Sequence, residues 1–242
     1  MSRFYRYVLA SIAILIATLV SLHLNPRPLF SFKTEYKQFT IWSDQHIENG
    51  WDDVINDAVS RLSTSELYNK EMRFRIYVCN DSWRLWLFTR NASVGGFADT
   101  FTTRNIFLRE VKASKNQLVP PRGVLADAQS RPLSYFIAHE ATHAMQSKEF
   151  GRLFSIRSPK WLVEGYADYV AKAGDFDFEK NRQLLRDGNK IMSEKSAKNG
   201  LYRRYHLMTE QVIFDSKKSI KDIYASPPDA ADILSDLLNA SE

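Results

Sequence analysis

The densest chemistry in this chain lies at His139-Glu140-Ala141-Thr142-His143. On an α-helix, two histidines at i and i+4 lie one turn apart on the same face and can point their imidazoles at one ion. Glu140 sits beside them, rotated far enough to miss the ion and still reach a water at it. A chance HExxH turns up in roughly one in two hundred chains this long, so its surroundings decide. They favour a helix: Ser130 can cap it, Pro132 suits its first turn and Gly151 follows its end. A second helix is signalled by Ser158-Pro159 ahead of Trp161-Leu162-Val163-Glu164-Gly165-Tyr166-Ala167-Asp168-Tyr169. Twenty residues separate His143 from Glu164, enough for an antiparallel return that sets Glu164 against the histidine pair. The set becomes His₂Glu, a standard catalytic zinc set of three protein ligands with the fourth position left to water. Asp168, one turn beyond Glu164 on the same face, is positioned to accept the other ring N–H of a liganding histidine. A merely solvated face is a poor fit to Trp161, Gly165 and Ala167. The one cysteine, Cys79, excludes an intramolecular disulfide and a thiolate cluster.

HExxH followed after a short interval by a Glu-Gly-x-Ala-Asp helix resembles the gluzincin metallopeptidases, the thermolysin-like superfamily. The resemblance spans roughly Arg73 to Tyr169 in the order of elements and is specific at His139–His143 and Trp161–Tyr169. It implies His139, His143 and Glu164 as Zn²⁺ ligands, Glu140 as general base and Asp168 as the partner of His139. It also implies a strand along the cleft on which peptide substrate pairs, and Gly96 to Leu108 stands in that place. The Gly-x-Met-Glu-Asn exopeptidase signature is missing, so an endopeptidase is expected. One more donor to the tetrahedral oxyanion usually comes from a later Tyr or His. Tyr202, Tyr205 and His206 qualify, and Tyr205 is the first choice. Multi-span membrane metalloproteases share the Glu-x-x-x-Asp pairing, but this chain has one apolar segment.

The elements that must position these residues read as mixed α and β. Phe39–Trp42 and Arg73–Cys79 alternate like strands, and Phe97 to Leu108 reads as a strand or hairpin arm. A helix is expected from about 50 to 68, with Trp51, Val54, Ile55, Ala58, Val59 and Leu62 on one face, and a brief one over 83–88. Residues 109–131 read as a polar, proline-containing loop. Beyond Pro132 the pattern is helical, over about 132–148, 160–173, 178–193, 203–217 and 229–239. Strands first and helices after predict an α+β fold: a small mixed sheet, then a helical, zincin-like C-terminal half.

Ahead of this, Arg3 and Arg6 precede an almost wholly apolar run from Val8 to Leu24, long enough to span a bilayer. No small-x-small site follows it, so residues 1–24 are expected as an uncleaved transmembrane signal-anchor, 25–38 as a linker and 39–242 as the zincin-like domain. The catalytic domain is expected outside the cytoplasm. The chain carries Lys+Arg 33 against Asp+Glu 28; without Arg3 and Arg6 this is 31 against 28, too small and scattered for a nucleic-acid partner. The six cations between Arg104 and Arg131 read as a solvated loop. The expected function is therefore a zinc metallopeptidase acting on a peptide or protein. The alternatives are a non-catalytic, membrane-anchored protein of the same fold, or a zinc amidase acting on cell-wall material.

Overall fold

The computed structural model describes residues 3–120, 131–198 and 202–239. Helix α1, Arg3–Leu24, contains a stretch of mean hydropathy 2.2, none of it buried, that is long and apolar enough to cross a membrane. The expected α+β order follows. A five-stranded sheet is built from β1 (Phe32–Tyr36), β2 (Phe39–Ser43), β3 (Phe74–Cys79), β4 (Gly96–Ala98) and β5 (Ile106–Arg109), in the order β1-β2-β3-β5-β4. The three inner strands are parallel, with Ile41 opposite Ile76 and Ile76 opposite Ile106, while β1 and β4 run antiparallel at the edges. Helix α2 (Trp51–Leu62) joins β2 to β3, and α3 (Ser82–Thr89) follows β3.

The inner strands are buried on both faces, which is why β3 reads as a nearly continuous apolar run. Ile41, Ile76, Val78, Ile106 and Leu108 enter one large core with Trp51, Ile55 and Leu62 of α2. Tyr77, Cys79 and Phe107 point the other way, against Phe30 and the Leu85 and Phe88 side chains of α3.

A small hairpin, β6 (Val111–Lys112) and β7 (Gln117–Leu118), leads to the helical half. Its members are α4 (Leu133–Glu149), α5 (Phe154–Arg157), α6 (Lys160–Lys172), α7 (Phe178–Arg186), α8 (Glu194–Lys198), α9 (Arg203–Ser216), α10 (Ile220–Ala225) and α11 (Ala230–Asn239). In α4 every residue from Leu133 to Ser147 except Phe136 is buried. A helix covered all round lies at the centre of its domain, and α4 does so with the large core on one side and α6 on the other.

Several boundaries differ from the sequence expectation. Within the 25–38 linker, Phe32–Tyr36 is a paired strand, because Lys37 takes a left-handed φ of 51° and turns it back on β2. The expected helix over 178–193 stops at Arg186, where Gly188 has φ 65° and the Asn189 side chain caps the next turn. Pro132 sits at the N-cap position of α4, one residue before its first turn, and the cap expected from Ser130 lies outside the described residues. The loop over 109–131 carries the β6–β7 hairpin, and the short α5 and α10 arise where no helix is expected.

Candidate metal centre

Helix α4 aims His139 and His143 at α6, and α6 presents Glu164 to them. The two Nε2 atoms are 3.2 Å apart, and Glu164 Oε2 is 3.5 Å from one and 3.6 Å from the other. The point equidistant from three atoms so spaced lies about 2 Å from each, the distance at which a small divalent ion binds imidazole nitrogen and carboxylate oxygen. These three residues form a group that could hold a metal ion.

Their hydrogen bonding fits that role. Gln146 donates its amide to the Val163 carbonyl at 3.0 Å and the Tyr224 hydroxyl at 2.6 Å, which leaves its Oε1 facing His143 Nδ1 at 2.8 Å. An oxygen there requires a proton on Nδ1, so Nε2 is the atom that His143 turns toward His139 and Glu164. Among the described residues, His139 Nδ1 is buried with no hydrogen-bond partner. The Glu164 carboxylate draws hydrogen bonds from both imidazoles, and a cation among the three atoms would take the place of the protons that those bonds need. The local field favours one. Burial opposes a charge on His143, yet the Glu164 carboxylate outweighs it and pushes the imidazole pKa up to about 9. Burial likewise works to raise Glu164, and the two imidazoles hold it well below the usual carboxylate range.

Glu140 lies beside the histidines and is 7% exposed. Burial raises its pKa, partly offset by His139 and His143, and the backbone N–H of Ala98 donates to its carboxylate. That contact brings in edge strand β4. At Gly96 an added Cβ would stand 2.8 Å from Glu140 Cγ and 3.1 Å from Leu108 Cδ2, so only a residue without one lets β4 lie this close to α4. The expected strand over 96–108 is thus a hairpin, with β4 as the arm along the site and no strand on its outer edge among the described residues.

Gly165 plays the same part between α6 and α9. A Cβ there would overlap the carbonyl of Tyr205 and the hydroxyl of Thr209. The close approach brings the start of α9 to the histidines. Tyr202 stacks on His139 with ring centroids 5.6 Å apart and hydrogen bonds to Glu164. Burial first, and then Glu164 and Glu140, push the Tyr202 pKa up, so its hydroxyl keeps its proton. Tyr205, the sequence's first choice, is half-buried and stacks on Tyr202 at 6.3 Å. His206 turns away to Asp168 at 3.1 Å and Glu210 at 3.2 Å.

Asp168 also differs from its expected place. Fully buried, it accepts from the Tyr135 hydroxyl, from Lys172 Nζ at 2.5 Å and from His206 Nδ1, and it makes no hydrogen bond to His139. The reason is Tyr135, whose ring stacks on His139 at 5.9 Å and whose hydroxyl takes the Asp168 oxygen. The side chain that does hold one of these histidines, Gln146 against His143, escapes the sequence reading. Its one signal is a polar residue three positions after His143, on the same inward face.

No family model matches the chain, and no curated protein matches it.

Proposed function

We propose that this chain is a membrane-anchored zinc metallopeptidase. The observation that carries the reading is the triangle of His139 Nε2, His143 Nε2 and Glu164 Oε2 with the buried Glu140 carboxylate next to it. Two imidazoles and one carboxylate suit zinc, and a site with three protein ligands suits catalysis. The chemistry supplied by bound Zn²⁺ is Lewis acidity toward a peptide carbonyl and a water pKa lowered toward about 7.

The chain's own groups do the rest. Glu140, with its basicity raised by burial and its carboxylate oriented by the Ala98 N–H, takes the proton of the attacking water and returns it to the leaving amine. Tyr202 keeps a neutral hydroxyl beside Glu164, available to donate to the oxygen that gains charge as the carbonyl is attacked. The outer edge of β4 supports binding of an extended peptide as an added strand, which favours internal cleavage. The apolar α1 supports retention in a membrane, with Arg3 and Arg6 inside and the domain outside.

The test is Glu140→Gln in the full-length chain. Peptide hydrolysis should fall by about 10²- to 10⁴-fold while bound metal is retained. Undiminished hydrolysis, or loss of the metal together with activity, would contradict the assignment of Glu140.

A further inference from the structure

Helix α3 buries Leu85 and Phe88 against the sheet and turns Trp83 and Trp86 outward, each 53% exposed. Three residues apart, they share one face, and each carries a cation. The Arg84 guanidinium lies 4.5 Å from the Trp83 ring centroid and that of Arg90 lies 5.4 Å from Trp86. Two tryptophans set side by side in water are a costly surface unless something covers them.

The position of α1 indicates what covers them. Its apolar stretch ends at Leu24, and its last turn rests on the same part of the domain. The His23 ring is 6.4 Å from that of Phe88 in α3, and its Nε2 is 3.3 Å from the Thr102 hydroxyl and 3.6 Å from the Asp99 carboxylate. If the apolar stretch fills the hydrocarbon layer, His23 marks the edge of that layer. The polar zone beyond it is only about 5 to 8 Å deep on each side, from a core of about 30 Å in a bilayer of about 40 to 45 Å. Groups in contact with His23 must then lie in or next to the headgroups. Tryptophan rings collect at that level, apolar over most of their area with one N–H to hydrate. Arginines there meet anionic lipid.

We propose that α3 docks on the membrane surface, with Trp83 and Trp86 inserted among the headgroups beside the exit of α1. This rests on the reading of α1 as a membrane-spanning segment. The domain thereby has two attachments and cannot swing freely about its anchor. The loop that meets His23 begins directly after β4, whose Ala98 bonds Glu140, so the edge of the cleft is held close to the bilayer.

Full-length chain reconstituted in phosphatidylcholine–phosphatidylglycerol vesicles tests this by quenching of tryptophan emission with lipids brominated near the headgroup or deep in the chain. Helix α1 contains no tryptophan, Trp51 and Trp161 are buried in the domain, and Trp42, half-buried beside Arg27 and Lys33, remains as the background in the double variant. Emission should be quenched most by the shallow bromines, and at least about threefold less in Trp83→Phe/Trp86→Phe. Flotation after carbonate extraction reports on the anchor separately. Chain that floats without quenching, as it would if a second copy covered the face, overturns the docking alone. Equal quenching in the double variant does the same. Chain that fails to float overturns the anchor and the docking with it.

Discussion

One turn apart on α6, Glu164 and Asp168 enter clusters of opposite character. Asp168 is sealed from solvent, and both of its oxygens are engaged, by Tyr135 on one side and by Lys172 and His206 on the other. Glu164 keeps a fifth of its side chain exposed and faces the Nε2 atoms of both histidines, while, among the described residues, His139 Nδ1 has no hydrogen-bond partner. The first cluster is closed, and its satisfied charges tie α4, α6 and α9 together. The second is open, its polar atoms arranged for something the chain does not itself supply. A buried ionic network that is fully paired contributes to a unique packing. One left incomplete costs stability and is kept for what it binds.

Removing a charge from the closed cluster gives the largest expected change in stability. Burial works to raise the Asp168 pKa, but Lys172 and His206 hold it well below the usual carboxylate range. A carboxyl depressed in the folded state contributes stability that is present above its unfolded value of about 3.9 and is lost as the pH falls toward the folded value. Asp168→Asn should therefore cost about 3 to 5 kcal/mol at pH 7, because it leaves the largely covered Lys172 without its counter-charge. The difference from wild type, followed by urea unfolding, should shrink as the pH falls below about 4. A variant as stable as wild type at pH 7 would erase the distinction between the two clusters.

Within the open cluster, Tyr202→Phe should lower kcat by about 10²- to 10³-fold, the loss of one donor to a developing oxyanion, with little change in KM or in unfolding. Tyr205→Phe should behave as wild type. The reverse pattern would mean that the stacking of Tyr202 on His139 serves packing only. Smaller still is the effect expected of Gln146→Leu, which removes the partner of His143 Nδ1. Metal affinity, measured by competition with a chelator, should weaken by about 10- to 100-fold, and unchanged affinity would show that His143 is held by packing alone.

The two clusters also mark how far the sequence can be read. A spacing of four on α4 and an antiparallel return to α6 bring His139, His143 and Glu164 together, because helix periodicity determines which residues share a face. The partner across a helix–helix interface is not determined that way. Asp168 shares a face with Glu164 as read, but Tyr135 comes between it and His139, and His206 arrives from a helix 38 residues later. Choosing Tyr202 over Tyr205 depends on where α9 begins. Its first turn is brought in by the absence of a side chain at Gly165, a contact that periodicity does not express. In the sheet, the strands buried on both faces are legible as apolar runs. The placing of β4 outside β5, and the recruitment of β1 from the apparent linker, depend on turns at residues 99–105 and at Lys37.

The most direct test of the account is the metal content of purified full-length chain and two variants. About one zinc per chain is expected in wild type and in Glu140→Gln, and none in His143→Ala, which removes one of the three proposed ligands. Zinc retained by His143→Ala at the wild-type level would contradict the proposed centre.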